Sequence, residues 1–188
     1  MSIHPSQHER SKHPLRGTAT LLTQYLNTPR LILRPYQASD LAAFVALNAD
    51  PEVRRHVGDP LTPTEATTRF QRFFAGGPED AWAITLRESG LYIGHCWLVM
   101  RGEAELALLL VPGVWRQGYG TEVAVALLDH ALIQRRYSRV VATVDADHPA
   151  SIRVLERAGM RRECDRHDAH GVYFVYSARR PVVGDQAG

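Results

Sequence analysis

Lysine is almost missing: Lys12 is the only one in 188 residues, and every other basic side chain is arginine. With 22 Lys and Arg against 20 Asp and Glu, the formal net charge is +2. That surplus is too small to argue for a nucleic-acid or membrane partner. The arginine skew fits either a GC-rich coding sequence or a use of guanidinium forks on phosphate. Cysteine is scarce too. Cys96 and Cys164 form neither a CxxC pair nor a Cys/His grouping, so no metal site is expected, and two buried thiols in a reducing cytoplasm are the default. The longest apolar runs, such as 104–112, fall far short of the roughly 20 residues of a membrane span. Residues 1–17 are polar and His-rich and have no apolar core of the signal-peptide kind. The chain therefore reads as cytoplasmic.

What is present is an ordinary globular composition, 45% hydrophobic and 22% charged, in a length that suits one domain. Residues 1–28 read as a loosely ordered arm, 29–180 as the domain, and 181–188 as a tail. Arg30-Leu31-Ile32-Leu33-Arg34-Pro35 alternates like a strand closed by proline. Ser39 is placed to cap a helix carrying Leu41, Phe44, Val45 and Leu47. Thr62-Pro63-Thr64-Glu65 is a capping box with proline at the first helical position. The helix behind it sets Phe70, Phe73 and Phe74 on one face. Three strand-like runs follow, 81–86, 91–100 and 103–111, with Ser89-Gly90 and Arg101-Gly102 as turns. The period then changes. Residues 118–134 read as a helix with Val123, Leu127, Leu128 and Ala131 inward. A strand at 139–144 is next, then a helix opened by His148-Pro149 and stopped by Gly159. One strand at 173–177, with room for a second, ends the list. A meander followed by βαβ units implies an α/β protein with a mixed sheet and helices on both faces.

The chemistry concentrates in Trp115-Arg116-Gln117-Gly118-Tyr119-Gly120-Thr121-Glu122, between an apolar strand and a long helix. The glycines permit a tight turn and a close backbone approach. The first N–H groups of a helix have no partner within it, and with the helix dipole they make an anion site. The dipole contributes about 0.3–1 kcal/mol. Hydrogen bonds to charged oxygens contribute about 1.5–3 kcal/mol each, so they dominate. A dinucleotide fingerprint would need Gly or Ala where Val123 stands, and the Gly-Lys-Ser/Thr of a Walker loop is absent.

The segment from Glu105-Leu106 through Pro112 to Trp115-x-x-Gly118-Tyr119-Gly120-Thr121-Glu122 resembles the acetyl-CoA-binding motif of the GNAT N-acetyltransferases. It is most similar to the subset that includes ribosomal-protein N-terminal acetyltransferases. Thr28-Pro29-Arg30-Leu31-Ile32-Leu33-Arg34-Pro35 looks like that subset's first strand. Pro149-Ala150-Ser151-Ile152-Arg153-Val154-Leu155-Glu156-Arg157-Ala158-Gly159-Met160 looks like its last helix. The resemblance implies a splayed sheet of six or seven strands and acetyl-CoA as co-substrate. Leu108, Leu109, Leu110 and Val111 would pair with the pantetheine arm. Arg116, Gln117, Gly118, Tyr119, Gly120 and Thr121 would hold the pyrophosphate, and Arg116 or Arg153 could reach a further CoA phosphate.

The chain departs from the family pattern at three places. Trp115 begins the loop, as it does in the named subset. His148 replaces an Asn that touches the cofactor arm. Leu155 stands where many members carry the Tyr that protonates the thiolate, which leaves Ser151 as the substitute acid. Glu105 is the first candidate for the base, with Glu103 and His95 in reserve. Such a base matters most for lysine-like acceptors, whose deprotonation at pH 7 costs about 4.6 kcal/mol against about 1.0–1.4 for an α-amine. Phe73, Phe74, Trp82, Tyr92 and Trp97 are expected around the acceptor, a small-molecule amine or a protein N-terminus. The other classes left open are a non-catalytic acyl-CoA-binding module and a nucleotide-binding protein using the same loop. A homodimer is also left open.

Overall fold

The computed structural model describes residues 2–3, 24–76, 80–101, 103–169 and 171–180. Residues 4–23 of the expected arm and the tail 181–188 lie outside the described residues. The strands are β1 (Ser2–Ile3), β2 (Leu26–Asn27), β3 (Leu31–Arg34), β4 (Asp80–Leu86), β5 (Tyr92–Arg101), β6 (Glu103–Leu110), β7 (Arg139–Asp145), β8 (Arg161–Asp168) and β9 (Gly171–Arg179). The helices are α1 (Leu41–Ala49), α2 (Pro51–Arg54), α3 (Pro63–Phe74), α4 (Tyr119–Asp129) and α5 (Pro149–Arg157). One sheet runs in the order β2-β3-β4-β5-β6-β7-β9-β8, with β1 paired to β6.

The sheet is antiparallel except where β6 meets β7, and that parallel pairing is confined to Ala104↔Val140 and Glu105↔Val141. Beyond those residues the two strands part. Ser2 and Ile3 enter the gap and pair antiparallel with Leu109 and Leu108, and Ile3 is fully buried.

Alternation along the central strands sorts the core into two layers. Leu106, Leu108 and Leu110 join Val123, Leu127 and Leu155 in one, with α4 and α5. Ala107 and Leu109 join Phe44, Phe70 and Phe73 in the other, with α1 to α3. The capping box forms as the sequence implies: Thr62 N–H donates to Glu65 Oε2 at 2.8 Å, and Glu65 N–H to Thr62 Oγ1 at 3.3 Å.

Several sequence expectations need correction. Asp40, not Ser39, organises the start of α1: its carboxylate accepts from the Gln37 N–H at 2.8 Å and from both terminal nitrogens of Arg34 at 2.7 and 2.8 Å. The long helix is α4 for only part of its length, continuing as a π-helical turn over His130–Gln134. Cys96 is buried but Cys164 is exposed. Strand β8 had no apolar signal, because almost all of Arg-Arg-Glu-Cys-Asp-Arg-His-Asp faces solvent at the sheet edge. With β1, β2 and β8 the sheet has more strands than six or seven.

Candidate active site

The loop after β6 turns through a 3-10 segment, Pro112–Val114, and is pinned by the Trp115 indole, whose Nε1–H donates to the Leu110 carbonyl at 2.7 Å. Gly118 caps α4 in the left-handed region, with φ 85° and ψ −4°, where a side chain is strained. Arg116 also takes a positive φ of 61°. The first helical bond of α4 runs from the Glu122 N–H to the Gly118 carbonyl at 3.1 Å. The amides of Tyr119, Gly120 and Thr121 therefore precede the helical ladder, as an anion cradle requires. Arg116, Gln117 and Gly118 are exposed and Gly120 is buried.

A clasp that the sequence reading missed holds this cradle. Glu122 accepts the Thr28 hydroxyl at 2.5 Å, the Arg30 N–H at 2.8 Å and Arg30 Nε–H at 2.7 Å. Arg30 also donates to the Gln117 carbonyl at 2.9 Å, and its guanidinium lies 4.3 Å from the centre of the Tyr119 ring. Burial raises the Glu122 pKa, but the bonds from Thr28 and Arg30 outweigh it and hold the carboxyl below its ordinary value. The sequence signals were Thr28-Pro29-Arg30 and Glu122, each at a fixed place in its motif, with nothing to join them.

On β6, Leu108 and Leu110 face the α4 layer and Leu109 faces the α1–α3 layer; Val111, just after the strand, touches both. Glu105 is half-buried where β6 and β7 are still paired. Ser151 is fully buried in the first turn of α5. His148 is the N-cap of that helix, with a pKa lowered to about 3, chiefly by burial. Leu155, in the place of the usual Tyr, is fully buried, and Arg153 is exposed.

The reserve bases are engaged elsewhere. Glu103 accepts from Arg139 at 2.6 and 2.7 Å. His95 is fully buried, stacks on Phe44 at 4.5 Å and shares a 2.9 Å hydrogen bond with the Tyr92 hydroxyl. Burial drives its pKa well below the ordinary imidazole value.

The expected aromatic pocket is only partly assembled. Phe73 and Trp97 lie 5.8 Å apart in the α1–α3 layer, and Tyr92 packs against that layer. Trp82 does not join them: alternation on β4 sends it to the opposite face, where its Nε1–H donates to the Gln24 carbonyl at 2.7 Å. Phe74 ends α3 on the outer side and is 53% exposed.

The splayed β6–β7 pair and the glycine-capped helix start sit in a fold shared with acyl-CoA-dependent acetyltransferases. Residues 30–161 match the family model described as "Acetyltransferase (GNAT) domain", and the chain belongs to that family. The uncharacterized N-acetyltransferase YoaA of Bacillus subtilis (strain 168) is 30% identical over 147 residues, covering 73% of this chain and 83% of YoaA. An acetyltransferase structure from Agrobacterium tumefaciens str. C58 has a TM-score of 0.72 at 28% identity, covering 90% of this chain and 100% of that one. A spermidine N-acetyltransferase from Vibrio cholerae, solved with CoA and spermine, has a TM-score of 0.71 at 15% identity, covering 80% and 95%; it shares the fold. Among the described residues, no helix is long and apolar enough to cross a membrane.

Proposed function

We propose that this chain transfers an acetyl group from acetyl-CoA to a primary amine, on a small molecule or a peptide N-terminus, by direct attack within a ternary complex. One observation carries the reading: β6 and β7 part beyond Glu105 and Val141, just before a helix start with Gly118 in the left-handed conformation. Such a gap leaves backbone N–H and C=O groups to pair with an amide-bearing arm, and the helix start suits a diphosphate. Acetyl-CoA supplies the activated acyl carbon.

The chain's residues would then divide the work. Amides from Gly118 to Thr121 bind the diphosphate, with Arg116 beside them. Leu108 to Val111 pair with the pantetheine arm, and an amide there polarises the acetyl carbonyl. Ser151 gives a proton to the departing sulfur. Glu105 adds negative charge at the vertex of the splay, on the side of the α1–α3 layer, where Phe73, Tyr92 and Trp97 flank the acceptor. In that layer the Tyr36 hydroxyl and His95 Nε2 are buried with no hydrogen-bond partner among the described residues, polar positions within an aromatic wall. Because Ser2 and Ile3 pair with the same stretch of β6, cofactor entry exchanges that short strand for the pantetheine arm.

The test is acetyl-CoA turnover against mixed small amines and N-terminal peptides, read by mass spectrometry and thiol release. Acetylation of one acceptor class is expected. Tight acetyl-CoA binding with no turnover on any amine would favour an acyl-CoA-binding module, the reading that the buried Leu155 would suit. Glu105→Gln is expected to lower turnover with little change in acetyl-CoA affinity.

A further inference from the structure

His56 lies outside every motif read from the sequence, in the turn after α2. Its Nδ1 is 3.2 Å from Asp145 Oδ2 and 3.5 Å from Asp147 Oδ1. Its ring stacks on His148 with centroids 4.0 Å apart and planes 11° from parallel. The side chain is 15% exposed. Asp145 ends β7. Extending the parallel register of Ala104↔Val140 and Glu105↔Val141 by four residues sets Asp145 level with Leu109 across the splay. Val140, Ala142 and Val144 face the α4 layer, so alternation turns Asp145 toward the α1–α3 side, as it does Leu109. The cluster thus stands at the mouth of the gap, on the acceptor side, one ring away from the N-cap of the helix that carries Ser151.

We infer that His56, oriented by Asp145, accepts the proton that the acceptor ammonium must lose before it attacks. A carboxylate on Nδ1–H fixes the imidazole tautomer and leaves the Nε2 lone pair as the basic site. The inference rests on the acetyl-transfer reading. The balance is simple. One ammonium proton goes to His56 and then to solvent. The amine nitrogen bonds to the acetyl carbon, the carbon–sulfur bond breaks, and sulfur leaves with its electron pair. The second nitrogen proton goes into the pool from which Ser151 protonates that sulfur.

Among the described residues, the charged and titratable groups in contact with His56 are Asp145 and Asp147 at the end of β7 and His148 at the start of α5, and Arg55 acts on His148. Asp168, at the end of β8, acts in turn on Asp145. Burial keeps His148 neutral, with its pKa lowered to about 3, so it adds no charge to the stack.

The experiment is the pH dependence of kcat/KM for the acceptor in the wild type, His56→Gln, Asp145→Asn and Glu105→Gln, with acetyl-CoA affinity measured in parallel by calorimetry. His56→Gln is expected to lower kcat about a hundredfold or more and to abolish the wild type's rise in rate with pH. Its acetyl-CoA Kd should change less than about threefold, which also reports a folded variant. Asp145→Asn should lower kcat about tenfold, since it weakens orientation while leaving the base. Glu105→Gln should keep the pH rise. A His56→Gln enzyme with normal acetyl-CoA binding and an intact pH rise overturns the assignment, as does a Glu105→Gln enzyme that loses the rise. His56, Asp145 and Asp147 offer ligand atoms within 4.8 Å of one another. Turnover lost to EDTA and restored by Zn²⁺ would therefore overturn the base in favour of a metal site. Failure of the wild type to bind acetyl-CoA would reject the acetyltransferase reading itself.

Discussion

At the scale of single residues, the glycine-capped start of α4 is held by side-chain contacts with the segment between β2 and β3. Glu122 is the clearest case, with the Thr28 hydroxyl, the Arg30 amide and the Arg30 guanidinium all on one carboxylate. Its side chain is 12% exposed, while that of Arg30 is 46% exposed, so solvent screens part of the pair. Glu122→Gln should lower stability by about 1–2 kcal/mol and weaken acetyl-CoA binding by about tenfold, measurable by urea denaturation and calorimetry. The pH sign follows from the lowered pKa of Glu122. Its stabilisation is complete above the ordinary carboxylate value near 4.3 and is lost as pH falls through the depressed folded value. The difference in stability between wild type and Glu122→Gln should therefore shrink on acidification below about pH 4. The sequence showed Arg30 and Glu122 as motif letters; that they grip each other across 92 positions was not visible, because no local periodicity relates them.

At the scale of elements, β6 runs along the splay, and β5 helps to set its path. Gly94 is the device. A Cβ there would collide with the Leu109 carbonyl oxygen and come within 3.0 Å of the Leu110 Cα. Gly94→Ala should push β6 toward the gap, destabilise the protein and weaken acetyl-CoA binding together, as thermal shifts with and without ligand would show. Strand β1 gives a second prediction. Ile3 is fully buried against β6, worth up to about 1.5–3 kcal/mol of hydrophobic burial before the entropy of ordering that segment is deducted. Ile3→Glu should release the strand and tighten acetyl-CoA binding by about tenfold; unchanged affinity would mean that β1 and the pantetheine arm do not compete. Helix starts and the meander were legible because capping residues, turns and apolar alternation are local. β8 was not, since an exposed edge strand carries no apolar period, and neither was the pairing of residues 2 and 3 with residues far along the chain.

At the scale of the whole molecule, one sheet separates two packed layers, and that separation has a measurable consequence. Phe44 and Leu127 are both fully buried, on opposite faces. Phe44→Ala should cost about 3–5 kcal/mol and Leu127→Ala about 2–5 kcal/mol. Because they lie in separate layers, their effects should add to within about 0.5 kcal/mol, as equilibrium unfolding of the double variant would show. The same division explains why the aromatic residues did not form one pocket. Trp82 and Trp97 sit on adjacent strands, directly across from Cys96 and Ala81 respectively, yet the pleat sends them to different layers.

The sequence by itself determined the order of the main helices and central strands, the glycine-rich turn at a helix start and, through three motifs in register, the family. These rest on short-range rules: capping, turn chemistry and the periods of helix and strand. Only the tertiary structure decided which side chains meet across the splay. It brought His56 to Asp145 and His148, tied Arg30 to Glu122, sent Trp82 to the opposite face of the sheet from Trp97, and laid β1 along β6. Those contacts join residues far apart in the chain, and they follow from which face of a pleated strand each residue occupies and from where the sheet opens.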